Sequence, residues 1–98
     1  MEALLNECIE SCNSCGIKSV TEKLDCVDCC LLCESVCRAL KNSLILKSKK
    51  SIQNNLKKAC LQSLKDCIEH CGHHNNPHCK KCSQSCSKLL AKLSIWVF

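Results

Sequence analysis

Aromatic residues are almost missing from this 98-residue chain: Trp96 and Phe98 are the full complement, and there is no tyrosine. Two rings add little to a core. The lysines Lys47, Lys49, Lys50, Lys57 and Lys58 have no aromatic among them, so the stacking platforms that single-stranded nucleic acid requires are absent. They read as a solvated helix face and loop, and no nucleic-acid partner is expected. Glycine (two) and proline (one) are equally scarce, which counts against the loop-rich, disulfide-stapled frameworks of small secreted domains. No apolar run is long enough to cross a bilayer, and no membrane partner is expected. The opening residues, MEALLNECIE, have neither a basic start nor an unbroken apolar stretch and do not resemble a secretory leader. The expectation is a cytoplasmic protein whose thiols stay reduced.

What the chain does have is cysteine, 14 residues of it, in four clusters. They are Cys8, Cys12, Cys15; Cys26, Cys29, Cys30, Cys33, Cys37; Cys60, Cys67, Cys71; and Cys79, Cys82, Cys86. Within a cluster the steps are mostly three and four residues, the spacing that places neighbours on one face of an α-helix. From Cys26, at about 100° per residue, Cys30, Cys33 and Cys37 all fall within about 40°. Leucines continue each stripe: Leu4 and Leu5 before Cys8, Leu40 and Leu44 after Cys37, Leu56 and Leu64 around Cys60, and Leu90, Leu93 and Val97 after Cys86.

Stop and start signals divide the chain into four helices. Gly16 is a C-terminal stop for the first, and Thr21 with Glu22 starts a second that runs to about Lys47. The third runs from near Ile52 to Gly72, and Asn76-Pro77 opens a fourth that continues to the C-terminus. A chain this short makes one domain, residues 1–98. The fold predicted is all-α, an antiparallel up-down-up-down four-helix bundle with a cysteine-lined core. Helices one and three read leucine then cysteine, two and four cysteine then leucine. In an antiparallel bundle that alternation gathers the thiols at one end and the leucines at the other.

All four histidines, His70, His73, His74 and His78, fall at the junction of helices three and four, which belongs to the cysteine end. They make a mouth where metal docks. His70 and His74 join the fourteen cysteines as candidate metal ligands, with His74 projecting closest to the thiol stripe.

A cysteine packs as a small hydrophobe, but leucine or alanine fills the same space without redox liability, so fourteen thiols imply a ligand. Soft thiolates select Cu(I), zinc or iron–sulfur clusters. Structural zinc wants four ligands in a tetrahedron, usually from a loop that wraps the ion, whereas a straight helix offers sulfurs in pairs, C-x-x-C and C-x-x-x-C. Cu(I), which accepts two or three sulfurs, suits such pairs. Cys30-x-x-Cys33-x-x-x-Cys37 shares part of a ferredoxin run but lacks one of its two two-residue gaps and the following proline, Arg38 standing there instead. No Ser/His/Asp or Cys/His arrangement stands apart from the metal pattern, and catalysis is not expected.

The repeated pairs on all four helices, densest in DCVDCCLLCESVC from Asp25 to Cys37, resemble those of the bacterial copper storage proteins, and the chain looks like the cytosolic kind. The resemblance implies high-capacity storage and detoxification by several Cu(I) ions per chain on these fourteen cysteines. It also implies a homo-oligomer, a tetramer of bundles, and a histidine-lined opening in the region of His70 to His78. Met1 is the sole methionine, which excludes a methionine-lined opening. The long leucine half of the stripe limits the metal-filled volume to part of the bundle. The alternative is a copper or zinc buffer or chaperone that hands metal to a partner. A donor or acceptor protein for copper is a possible partner under either reading.

Overall fold

The computed structural model describes residues 1–98 and holds four helices, α1 (Glu2–Glu22), α2 (Val27–Ile45), α3 (Lys50–Gly72) and α4 (Pro77–Ser94), with no strand. Each connection is four residues long, too short for anything but antiparallel neighbours. α1 packs on α2, α2 on α3, α3 on α4 and α4 back on α1, and the backbones of the diagonal pairs stay apart. The bundle measures 40 × 21 × 19 Å.

Twenty buried side chains form one core cluster, and all fourteen cysteines belong to it. The stripes explain why: each helix carries its thiols and leucines on the face turned to the axis. Leu5, Leu40, Leu89 and Leu93, all fully buried, close the end that holds the N-terminus and the α2–α3 connection. The thiols run from there towards the α1–α2 and α3–α4 connections. Leu64, between Cys60 and Cys67 on α3, is the one leucine set among them. The end-to-end segregation expected from the alternating order is therefore present.

Several helix ends differ from expectation. α1 does not stop at Gly16. That glycine is buried in the helix, and a Cβ built on it would come 2.7 Å from Leu31 Cδ2. Its role is a close approach of α1 to α2. The helix ends instead at Lys23, in the left-handed region at φ 57°, where the Leu24 amide donates to the Ser19 carbonyl at 3.0 Å. Thr21 and Glu22 belong to the last turn of α1 and do not start α2. Cys26 occupies the N-cap position of α2, and its carbonyl accepts the Cys30 amide at 3.0 Å. α2 ends at Ile45, ahead of Lys47, whose φ is 53°, and α3 starts at Lys50, so Ser51 is helical.

Gly72 closes α3, and Asn76 with Pro77 opens α4 as expected, although the Asn76 side chain caps nothing and donates instead to Glu22 at 3.0 Å. α4 stops at Ser94 and not at the C-terminus. Val97 therefore leaves the stripe and is 88% exposed, while Leu89 takes the buried position beside Leu93. Half-buried Trp96 and Phe98 fold back on the leucine end, where the Lys57 ammonium donates to the Trp96 carbonyl.

Candidate metal centre

Every cysteine is an unbridged, buried thiol, and Cys29, at 7%, is the most exposed of them. The sulfurs meet across helices as well as along them. Cys8 lies 3.6 Å from Cys86, Cys12 3.6 Å from Cys82, and Cys37 3.6 Å from Cys60. Contacts also cross the diagonals: Cys15 to Cys71 at 3.9 Å joins α1 to α3, and Cys30 to Cys82 at 3.8 Å joins α2 to α4. Cysteine is short enough to let four helices converge, yet its sulfur reaches the axis. The result is an axial column of thiols.

Four groups of four thiols have all their sulfurs within 4.8 Å of one another: Cys8, Cys12, Cys33, Cys86; Cys12, Cys67, Cys82, Cys86; Cys15, Cys26, Cys30, Cys71; and Cys29, Cys30, Cys67, Cys71. The groups overlap. Cys12 and Cys86 serve two of them, as do Cys30, Cys67 and Cys71. A sulfur within reach of two positions could bridge two ions, so this arrangement suits clustered ions better than isolated ones.

At the mouth the column ends in Cys15, Cys26 and Cys79, with sulfurs 3.7–3.9 Å apart. His78 Nδ1 stands 3.3 Å from the Cys15 sulfur and 3.5 Å from that of Cys79, and His74 Nδ1 is 3.5 Å from Cys79. The other nitrogens face acids: His78 Nε2 donates to Glu22 at 2.6 Å and His74 Nε2 to Asp25 at 2.9 Å. A carboxylate only accepts, so in each neutral ring Nε2 carries the hydrogen and Nδ1 turns its lone pair to the thiols. Ser19, fully buried, places its hydroxyl 3.1 Å from the Cys26 sulfur.

Burial pushes the Cys15 thiol above its ordinary range. Burial, then the neighbouring Cys15, does the same for Cys79. Both are protonated at neutral pH, so a metal must displace their protons to bind.

Of the two histidines expected as ligands, His74 stands at the thiols. His70 stands apart: its Nδ1 donates to the Asp66 carbonyl at 2.9 Å, and that hydrogen bond raises its pKa. His78 was expected at the mouth but not as a ligand, and Ser19 was not among the expected site residues. Ser19 follows Cys15 by four residues and so shares its face, a spacing signal hidden by reading Gly16 as a stop. His78 precedes Cys79, and only the turn of α4 brings its ring over the column.

The family model described as copper storage protein matches residues 1–93. The chain belongs to the copper storage protein family. No curated protein and no solved structure gives a significant match. Membership fits the thiol column, whose overlapping groups supply the soft ligands that copper prefers, and the protein stores copper in its core. No helix is long and apolar enough to cross a membrane.

Proposed function

We propose that this copper storage protein holds Cu(I), several ions per chain, as thiolate-bridged clusters along the bundle axis. The overlap of the four-thiol groups carries this reading. If each ion took two thiolates of its own, fourteen cysteines would hold seven; bridging raises the capacity towards fourteen. Cu(I) docks at the mouth and passes inward from one thiolate pair to the next. The ligands are Cys8, Cys12, Cys15, Cys26, Cys29, Cys30, Cys33, Cys37, Cys60, Cys67, Cys71, Cys79, Cys82 and Cys86, joined by His74 and His78, with His70 on the outer rim as a first contact. Residues 1–98 act as one copper-binding domain.

A core that binds copper through free thiols needs them kept reduced, which supports a reducing compartment, the cytoplasm, with a copper-carrying protein as donor or acceptor. The family resemblance supports assembly into a homotetramer. A role in storage and not catalysis accords with the family.

The test is an anaerobic titration of the fully reduced protein with Cu(I) against a competing chelator. About ten or more tightly bound equivalents per chain are expected. One or two would replace storage by single-ion delivery.

A further inference from the structure

The outer surface of the leucine end differs from the rest of the bundle. Of the large apolar side chains exposed in the molecule, Ile45, Leu46, Ile52, Ile95 and Val97 all lie at this end, and the remaining four are on the flanks of α1 and α2. Beyond Ser94 the tail leaves the helix and alternates. Trp96 and Phe98 turn in against the core, while Ile95 and Val97 turn out, 77% and 88% exposed. Apolar side chains gathered in this way on a surface mark a contact with something else.

The same end is strongly basic. Lys47, Lys49, Lys50, Lys58 and Lys92 are exposed there, and none of them pairs with a carboxylate. Lys57 and Lys92 stand over the rings of Phe98 and Trp96, at 6.0 and 5.8 Å, so charge and apolar tail are interlocked. The chain has no acid between Glu34 and Asp66, and none after Glu69. Glu7, further in along α1, is paired with Lys88 at 3.5 Å. Counting Lys41 and Lys57, seven lysines meet one acid, Glu2, at this end, whereas the rest of the molecule balances six lysines and Arg38 against eight acids.

We propose that the leucine end docks on the surface of an anionic phospholipid bilayer. The apolar side chains enter the headgroup layer, and the lysines hold the negative headgroups. This goes beyond the storage reading and does not depend on the copper count. Nucleic acid would match the charge but leave the aliphatic side chains uncovered, and the two rings, half-buried, offer no stacking platform. A second copy docked end to end brings lysines against lysines; docked head to tail, it covers the mouth and adds copies without closing. An anionic bilayer supplies both halves of the match: negative headgroups outside and hydrocarbon just beneath. Lysine stems lie along apolar surface while their ammoniums stay at the headgroups. No helix is long and apolar enough to cross a membrane, but lying on one requires no span. The expectation of no membrane partner rested on the missing span, and the lysines taken alone read as a solvated face. The exposed apolar side chains at the same end change that reading. Docked so, the bundle stands on its closed end, and the thiol mouth opens at the other end of the 40 Å axis.

The experiment mixes the reduced, metal-free full chain with vesicles of phosphatidylcholine, alone or with about a third phosphatidylserine. Cosedimentation and the emission of Trp96, the single tryptophan, are the readouts. Binding to the phosphatidylserine vesicles alone is expected, with a blue shift of the emission and release at high salt. At about fivefold per lysine, Lys47→Gln/Lys49→Gln/Lys50→Gln should weaken binding about 100-fold. Leu46→Ser/Val97→Ser should weaken it and diminish the blue shift. Lys18→Gln/Lys80→Gln/Lys81→Gln removes the same charge near the mouth and should leave binding unchanged. Equal binding to both vesicles, binding to neither, or equal loss in the mouth variant would overturn the proposal. So would tighter binding to a single-stranded oligonucleotide than to vesicles, or a smaller assembly for Leu46→Ser/Val97→Ser in sedimentation velocity, which would make this end a subunit interface. Copper capacity, measured on the same samples, should be the same in every variant, so a failure here and a failure of storage are read separately.

Discussion

Gly16 and Gly72, the two glycines of the chain, have opposite standing. At Gly16 an added Cβ meets Leu31 at 2.7 Å and lies 3.5 Å from the Cys30 Cβ, whereas at Gly72 it meets nothing within 4 Å. Gly72 also has an ordinary negative φ, so its replacement loses nothing and restricts the unfolded chain. Gly72→Ala should stabilise the protein by about 0.4–1 kcal/mol, and Gly16→Val should destabilise it by about 1–3 kcal/mol through overpacking. Thermal unfolding of the two variants checks both signs. The same contrast shows what the sequence can carry at this scale. A glycine after a run of periodic residues is a fair stop signal at Gly72, but Gly16 has the same local look. The difference lies in a neighbouring helix that no local pattern records. The true end of α1 rests on Lys23 in a left-handed conformation, a position that glycine usually marks, so that signal was missing too.

Among the elements, the leucine and thiol halves of each stripe divide the labour between folding and binding. Leu40 is fully buried on α2 beyond the last cysteine, Cys37. Leu40→Ala should destabilise the metal-free bundle by about 2–5 kcal/mol yet leave the number of copper equivalents unchanged. Chemical denaturation and the copper titration, run on one preparation, test the two halves of that statement; a fall in capacity would place the leucine end within the metal-filled volume. Element existence, order and facing were legible because fourteen cysteines at steps of three and four fix the helical period. The segregation of thiols from leucines followed from their alternating order. The side of the mouth was legible from the histidines, but not which rings reach the sulfurs. That depends on α1 continuing to Glu22 and on the α1–α2 connection carrying Asp25, which together hold His78 and His74 in place.

For the whole molecule, the raised thiols of Cys15 and Cys79 link folding and loading to pH in opposite directions. An unfolded thiol titrates at about 8.5. With its folded value raised, such a group stabilises the metal-free fold fully below that pH, and the contribution fades as pH rises through the folded value. The metal-free protein should therefore lose melting temperature above about pH 8.5. Copper binding needs the thiolates, so below the thiol pKa each proton displaced per ion weakens apparent affinity by about tenfold per unit fall in pH. Melting curves from pH 7 to 10 and competition titrations from pH 6 to 8 measure the two effects. A flat affinity profile would mean that binding does not displace thiol protons.

The leucine end has one more consequence. With Leu5, Leu40, Leu89 and Leu93 closing the far side and Trp96 and Phe98 folded over it, the thiol column has a single door. If the proposed thiolate clusters fill that column, the store works as a stack: the last ion in is the first out, and ions near Cys37 and Cys60 would leave only after those above them had gone.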